Sequence, residues 1–278
     1  MVELVLTDNR RSELVALLDD QERLQREYPK LAEYLDFAPG LPGTGDDQLD
    51  AAFDLRMIHY LTASESASSN PYWDIVAPLV SERADRRVVD GGRPSGSSRL
   101  AFAATILQSS FAYAIPSPET LEWVASACSG RAVVEVGAGR GYWAAQLSQS
   151  GLDVRAFDIA PPDATLNASF DHAVGRQAVW HSVRNVEELR PDLWDGGNSA
   201  LFLCWPPGWG NSMASESLAK FEASGGHRLL FIGEPCGGKT GDESFFDALA
   251  ARWSLIAEDD RFVSWWNLND VAQVWERR

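Results

Sequence analysis

A glycine-rich loop is the part of the sequence whose residue types and spacing best fit a chemical role: Glu135-Val136-Gly137-Ala138-Gly139-Arg140-Gly141. It follows an apolar run typical of a strand and precedes a helical run over residues 142–150. Glycines allow sharp turns and a close approach of the backbone to a ligand. The dinucleotide fingerprint places its third glycine three residues after the second, where this chain has Tyr142. The loop therefore predicts a nucleotide-type site with a different spacing.

A carboxylate at the end of the next apolar run strengthens this prediction. Asp158 follows Phe157 about twenty residues beyond the first glycine, where an acid can accept both ribose hydroxyls of a bound nucleoside. The alternative is a glycine turn that only packs a helix onto a strand, with Asp158 as a solvated strand end. The loop and the acid together favour the nucleoside site.

An acid followed by glycines at alternate positions resembles the first motif of class I methyltransferases, which use S-adenosylmethionine. The resemblance implies that Glu135 orients the loop or meets the cofactor's amino group, and that the glycines line its methionine portion. Asn185, just past the third predicted strand, is the candidate for the adenine amine, although a loop asparagine is also a common turn former. The predicted cofactor-binding set is Glu135, Gly137, Ala138, Gly139, Gly141, Asp158, Ile159, Asn185 and Cys204.

Four further segments extend the resemblance to a little-characterised group of bacterial and fungal methyltransferase-like proteins. They are Tyr113-Ala114-Ile115-Pro116, residues 134–143, Leu203-Cys204-Trp205-Pro206-Pro207, and Thr240-Gly241-Asp242 with Phe245-Phe246. The resemblance covers roughly the last 170 residues. It implies the class I fold and the cofactor, and it implies no substrate.

The acceptor is expected beyond the fourth strand, because ligands of open α/β sheets bind at the carboxyl ends of the strands. The segment there resembles the Asn/Asp-Pro-Pro-aromatic motif of enzymes that methylate planar amines, but Trp205 occupies the position of the amine-binding residue. An indole can stack on an acceptor or face a sulfonium cation, yet it accepts no hydrogen bond from an amine. The alternative is that Trp205 and Trp209 only cover the end of the sheet.

Methyl transfer from an activated donor needs alignment more than it needs a base. The predicted catalytic residues are Trp205, Glu234 and His181, with His59 and Tyr60 as further candidate bases. A single histidine is more often structural, and Glu234 has the alternatives of binding the acceptor or capping a loop.

The segment Gly233-Glu234-Pro235-Cys236-Gly237-Gly238-Lys239-Thr240 matches the phosphate-binding P-loop pattern. Gly241 and Asp242 interrupt the required entry into a helix, and Asp242 is typical of that helix's N-cap. Too little chain follows for the remaining sheet of a triphosphatase. We therefore predict that the match is fortuitous.

The elements that must position these residues indicate an α/β fold: a doubly wound, Rossmann-like sheet. Short apolar runs alternate with helical ones and predict parallel strands at 132–136, 154–157, 179–183, 200–204 and 229–232. Residues 254–258 and 271–275 predict an antiparallel C-terminal pair. Helical spacing before them, including Ile75, Val76, Leu79 and Val80, predicts a helical cap over 1–112 and a catalytic domain over 113–278.

Composition narrows the partners. The net charge of −16 argues against nucleic acid, and no apolar stretch or leader pattern predicts a membrane span or secretion, so we expect a cytoplasmic protein. Three scattered cysteines predict neither disulfides nor a metal site. The expected acceptor is a small molecule or is peptide-like, and the N-terminal helices are the expected surface for any homodimer.

Three functions remain open at this point. The first is an S-adenosylmethionine-dependent methyltransferase acting on oxygen or nitrogen. The second is a catalytically silent module that keeps the fold for binding, which the intact glycines and Asp158 disfavour. The third is a nucleic-acid amine methyltransferase, which the acidic charge and Trp205 disfavour.

Overall fold

The computed structural model describes residues 4–62, 68–84, 86–128, 130–162 and 179–278. Among these, residues 4–111 and 265–267 form one structural unit, and residues 112–162, 179–264 and 268–278 form a second.

The first unit is mainly helical. Its six helices are α1 (Asp8–Asp19), α2 (Gln21–Glu27), α3 (Pro29–Phe37), α4 (Asp47–Thr62), α5 (Pro71–Val76) and α6 (Ser98–Ser110). Side-chain caps begin several of them: Thr7, Asp20 and Asn70 each accept a hydrogen bond from an amide in the first turn of α1, α2 and α5.

A short hairpin in this unit corrects one prediction. Val80 was expected on a helical face, whereas it begins β1 (Val80–Glu82), which pairs antiparallel with β2 (Arg87–Val89). The helix ends at Val76 because Pro78, in the following 3-10 turn, has no amide hydrogen to continue it. Val80 then lies opposite Val89 in the ladder.

The second unit contains the main sheet and four helices. Its strands are β3 (Ala132–Val136), β4 (Val154–Asp158), β5 (Val183–Asn185), β6 (Ser199–Cys204), β7 (Arg228–Gly233), β8 (Trp253–Glu258) and β10 (Val271–Arg277), and it also contains Val263 and Ser264 of the short strand β9 (Val263–Trp265). Its helices are α7 (Pro118–Cys128), α8 (Tyr142–Gln149), α9 (Met213–Ala223) and α10 (Glu243–Arg252). α7 begins at Pro118, and Ser117 Oγ accepts the amide hydrogen of Thr120.

The strand order of the sheet is β5-β4-β3-β6-β7-β10-β8. The first five strands are parallel, and β10 runs antiparallel to both β7 and β8. This confirms the predicted doubly wound, Rossmann-like sheet with its antiparallel C-terminal pair. The order reverses between β3 and β6, and ligands of such sheets bind at the carboxyl ends of the strands beside this reversal.

The apolar core of the sheet decides which way the site residues point. Val134 and Val136 belong to a buried cluster with residues of α9 and α10, including Leu218 and Leu249. Successive strand residues face opposite sides, so Glu135 lies on the other face of β3, where the amide of Ala144 in α8 hydrogen-bonds its carboxyl group.

The third predicted strand needs a correction. Residues 179–182 are outside any strand, and β5 contains only Val183–Asn185, paired with the last three residues of β4. The backbone before β5 pairs with the glycine-rich loop instead, since the amide of Trp180 donates to Arg140 O at 2.9 Å. An apolar run therefore predicted the strand about four residues too early.

Candidate cofactor and acceptor site

The glycine-rich loop turns through three left-handed residues. Gly137, Gly139 and Gly141 have φ values of 80°, 55° and 74°, a region that residues with a Cβ rarely adopt. Gly141 also needs its small size, because a Cβ there would lie 2.9 Å from His181 Cβ and 3.0 Å from His181 O. The alternate spacing of the glycines is thus a requirement of the backbone path.

Asp158 fastens this loop to the end of β4. Its Oδ2 accepts the amide hydrogen of Gly139 at 2.8 Å, and its Oδ1 accepts that of Ala160 at 2.9 Å. The side chain is buried, and burial raises its pKa despite these bonds. The amide of Ile159 also hydrogen-bonds this carboxyl group, so the three amides leave one lone-pair site with which Asp158 can accept a hydroxyl group of a ligand.

Glu135 is the most deeply buried acid of the loop, with a side chain that is 2% exposed. Burial and the charge of Asp158 raise its pKa to about 8, although the amide of Ala144 opposes the shift. Its Oε2 has no hydrogen-bond partner among the residues that the structure describes. A buried oxygen without a partner is costly and is therefore typical of a site that awaits a ligand's donor group.

Three other predicted cofactor residues lie around this loop. Ala138 is in the loop itself and donates its amide hydrogen to Phe157 O at 3.0 Å. Ile159 follows Asp158 and is 81% exposed, so it presents apolar surface to the solvent beside the acid. Asn185 lies opposite Asp158 in the parallel ladder, and its Oδ1 accepts the amide hydrogen of Glu187 at 2.9 Å. The side-chain carbonyl of Asn185 thus caps the 3-10 turn that follows β5.

His181 lies on the cofactor side of the predicted site. Its ring Nδ1 is 2.9 Å from Ser182 O, and because a carbonyl only accepts, that nitrogen is the donor. Its described contacts are therefore with Ser182 and Gly141, at the start of α8.

Trp205 follows β6 with a strained backbone. Its φ of 53° is left-handed, which a non-glycine residue adopts only at a cost of about 1–2 kcal/mol. Its amide donates to Ile232 O at 2.7 Å, and its ring stacks on Tyr113 with centroids 5.1 Å apart and planes 14° apart. Trp209 is also left-handed but is 83% exposed. These contacts therefore fix the position of the Trp205 side chain, whereas the Trp209 side chain is exposed to solvent.

Backbone contacts hold the loop after β7 against the loop that carries Trp205, and these two segments together are the clasped loops. Pro207 and Thr240 form an antiparallel bridge, and the amide of Gly241 donates to Pro206 O at 2.9 Å. Added bulk at Gly208 would meet Lys239 O at 2.7 Å. These contacts hold Trp205 from the side of β7.

Glu234 is a buried side chain that stabilises the clasped loops by accepting hydrogen bonds from backbone amides. Its Oε2 accepts the amide hydrogen of Lys239 at 2.7 Å, and its Oε1 accepts that of Asn269 at 3.1 Å. Its side chain is buried, and Thr240 Oγ1 donates to its backbone oxygen at 2.8 Å. This arrangement favours the loop-capping alternative over the role of a base.

Cys204, the last residue of β6, is partly buried. Burial raises the pKa of its thiol well above the usual value, and the nearby Glu135 and Asp270 act in the same direction. The thiol is therefore neutral at physiological pH, as expected for a residue that lines a site without reacting in it.

The P-loop-like segment does not form a phosphate cradle. Two of its amides are used internally, because Gly238 donates to Pro235 O at 2.9 Å and Lys239 donates to Glu234. Asp242 is the N-cap residue of α10, as predicted, but its Oδ1 accepts the amide hydrogen of Ser215 in α9. Two of the backbone amides that a phosphate would need are therefore already engaged.

Lys239→Ala is accordingly expected to leave the affinity for S-adenosylhomocysteine within about twofold, as for most surface substitutions. Lys239 is exposed, and only its backbone amide makes a described contact. Titration calorimetry on the purified variant checks this. A loss of about tenfold or more would show that the segment after β7 belongs to the cofactor site.

Two residues that sequence reasoning did not assign to the site lie beside its predicted members. Met213, at the start of α9, covers Gly137, where a Cβ would lie 2.6 Å from Met213 Cε. Tyr113 stacks on Trp205. Tyr113 belongs to one of the segments that resemble the methyltransferase-like group, but no spacing rule connects it to a loop about ninety residues away. Met213 is not part of any motif in the sequence.

His59 and Tyr60 lie on α4 in the first unit. Arg10 Nε donates to His59 Nδ1 at 3.2 Å, and burial together with Arg10 lowers the pKa of His59. These contacts describe a structural histidine that joins α1 to α4.

Within the described ranges, no group of three or more His, Cys, Asp or Glu residues is arranged to hold a metal ion. No helix in the same ranges is long and apolar enough to cross a membrane.

Comparison with known proteins gives similarity at the level of solved structures. No protein-family model matches the chain, and no curated protein matches it. A magnesium protoporphyrin IX methyltransferase from Synechocystis PCC 6803, with bound S-adenosylhomocysteine, is 14% identical, covers 58% of this chain and 83% of its own, and has a TM-score of 0.37. A Thermoplasma acidophilum protein is 20% identical, covers 54% and 80%, and has a TM-score of 0.35.

A third structure, from work on the conversion of a disulfide bond into a thioacetal group during echinomycin biosynthesis, is 14% identical. It covers 58% of this chain and 82% of its own, with a TM-score of 0.36. These values are too low to transfer an activity or a substrate, so the function has to be inferred from the site's own residues.

Proposed function

We propose that the protein is an S-adenosylmethionine-dependent methyltransferase that modifies oxygen or nitrogen of a small-molecule or peptide-like acceptor. The observation that carries the proposal is the junction of the glycine-rich loop with Asp158, where Gly139 donates to the carboxylate and Glu135 keeps a buried oxygen without a described partner. The pattern that resembles the methyltransferase motif thus coincides with a local structure suited to the cofactor.

The residues present fit the chemical groups of this cofactor. Glu135 Oε2 is an acceptor for an ammonium group, and Asp158 has a lone-pair site left for a ribose hydroxyl. Ile159 offers exposed apolar surface for a flat base. When bound, the cofactor supplies a methyl group already activated on a sulfonium ion.

Trp205 is the proposed acceptor platform. The residue follows β6, next to the reversal of strand order, and the clasped loops and Tyr113 fix its ring. A rigid aromatic face can hold an acceptor in line with the methyl group, and alignment alone supplies several kcal/mol of the barrier. In this proposal Glu234 positions the platform, and His181 is the remaining candidate for accepting a proton.

The acidic charge of the chain supports the choice of acceptor class. Binding to nucleic acid is driven by cationic side chains that neutralise phosphates and release their counterions. A net charge of −16 repels the phosphates and so disfavours such binding. A small or peptide-like acceptor needs no such surface. The role of residues 1–112 as a cap over the acceptor and the homodimer through the N-terminal helices remain predictions.

A screen of acceptors for release of S-adenosylhomocysteine tests the proposed activity. The protein is incubated with S-adenosylmethionine and panels of phenols, amines, carboxylic acids, short peptides and oligonucleotides, and turnover is expected in at least one of the first four panels. A silent binding module would bind the cofactor and release no product with any panel. Turnover with oligonucleotides alone would favour the nucleic-acid alternative.

A further inference from the structure

Glu135 combines complete burial with an incomplete set of hydrogen bonds. Its side chain is 2% exposed, its carboxyl receives the amide hydrogen of Ala144 from the first turn of α8, and Oε2 has no partner among the described residues. An ionised carboxylate in such a place would be removed from bulk water, which is costly unless a counterion compensates.

Among the residues that the structure describes, the charged and titratable groups around Glu135 do not supply a counterion. Asp158, at the end of β4, disfavours a second negative charge. Cys204, at the end of β6, has a neutral thiol whose pKa is raised by burial, by Glu135 and by Asp270. Arg140 belongs to the same loop and is buried, but it is absent from the interactions that shift the pKa of Glu135. Burial and Asp158 raise that pKa to about 8, so the carboxyl is protonated at neutral pH.

We propose that Glu135 gives up its proton to the solvent when S-adenosylmethionine or its demethylated product binds, and that the ligand's α-ammonium group takes the place of the proton at Oε2. The proposal rests on the proposed function, because it requires the methionine portion of the cofactor at the glycine-rich loop. The O–H bond of Glu135 is broken, its electron pair stays on the carboxylate, and the buffer takes up the proton. The net charge of the pair is unchanged, so the buried site never holds an isolated anion.

Proton exchange on binding makes the affinity depend on pH. Below the pKa of the free carboxyl, affinity is expected to rise with pH by up to about tenfold per pH unit, since each binding event releases up to one proton. Free α-amino groups titrate near pH 7.7–8.0. The effect of Glu135 is therefore measured between about pH 6 and 7, where the ligand's amine keeps its charge.

Titration calorimetry with S-adenosylhomocysteine in buffers of different ionisation enthalpy tests the proposal. This ligand has the ammonium group and lacks the sulfonium charge. At pH 6.5 the wild type is expected to release more than half a proton per ligand. Glu135→Gln, which mimics the protonated carboxyl in shape and charge, is expected to bind more weakly and to release none.

Adenosine is the matched control ligand, because it has the ribose and the base but no ammonium group. It is expected to bind without releasing protons. Equal release with adenosine would overturn the proposal, since the proton would then come from a group near the ribose such as Asp158. Binding of S-adenosylhomocysteine without proton release by the wild type would also overturn it, and would leave the proposed function intact.

Failure of the wild type to bind S-adenosylhomocysteine at all would instead count against the proposed function. The wild-type pH series does not depend on whether Glu135→Gln folds. A flat affinity between about pH 6 and 7 contradicts the proposal, and a rise toward higher pH supports it.

Discussion

Asp158→Ala is expected to weaken binding of S-adenosylhomocysteine by about 10- to 150-fold, which corresponds to about 1.5–3 kcal/mol. The variant removes the acceptor proposed for the ribose hydroxyls. It also frees the amide of Gly139, which donates to Asp158 Oδ2 at 2.8 Å and helps to fix the left-handed turn. Both effects lower affinity, and titration calorimetry on the folded variant measures their sum.

Asp153→Ala is the matched control for this experiment. Asp153 lies just before the same strand, at its opposite end, and its side chain is largely exposed in a surface ion pair with Arg155. Loss of such a pair changes stability by about 0–1 kcal/mol, and it should leave ligand affinity unchanged. Equal affinities for the Asp158 variant and the wild type would place the nucleoside elsewhere.

Trp205→Ala is expected to lower kcat/KM for the acceptor by about a hundredfold while leaving affinity for S-adenosylmethionine within a few fold. The variant removes the aromatic face that the clasped loops and Tyr113 hold at the carboxyl end of β6. Trp205→Phe keeps a smaller face against Tyr113 and should retain part of the rate. The acceptor identified by product release is the substrate for these assays.

Trp209→Ala is the internal control, because Trp209 has the same side chain and a similar left-handed backbone in the same loop but is 83% exposed. It should leave turnover and melting temperature near those of the wild type. If Trp205 were only structural, Trp205→Ala would lower melting temperature, cofactor affinity and turnover together. That joint loss would contradict the platform.

Much of the fold was predictable because buried parallel strands leave a strong signal. The run 132–136 matches β3, and the antiparallel C-terminal pair is present. The prediction was wrong where local and tertiary preferences compete. Residues 179–182 begin with the apolar pair Val179 and Trp180, yet Trp180 pairs with Arg140 in the loop instead of joining a strand.

The local structure of the proposed cofactor side was more accessible to sequence reasoning than that of the proposed acceptor side. The glycine-rich loop is formed by consecutive residues. Its left-handed turns require glycine, so the glycines appear at a regular spacing that can be read in the sequence. The acceptor side depends on contacts between distant segments. The amide of Asn269 reaches Glu234, and Tyr113 reaches Trp205, through the order of strands and not through any local pattern.

Glu234 shows why residue type alone misleads. A glutamate at the end of a strand is a reasonable candidate base, but both of its oxygens accept backbone amides. Its role depends on where the chain places Lys239 and Asn269, which only the structure shows.

The most direct test of the cofactor assignment is the melting temperature of the wild-type protein with S-adenosylhomocysteine or ATP. A ligand that binds only the native state stabilises it by RT ln(1 + [L]/Kd), about 2.7 kcal/mol at a hundredfold excess over Kd. S-adenosylhomocysteine is expected to raise the melting temperature in a concentration-dependent way, and ATP is expected to leave it unchanged. A shift with ATP alone, or with neither ligand, would contradict an S-adenosylmethionine site at the loop of Glu135 and Asp158.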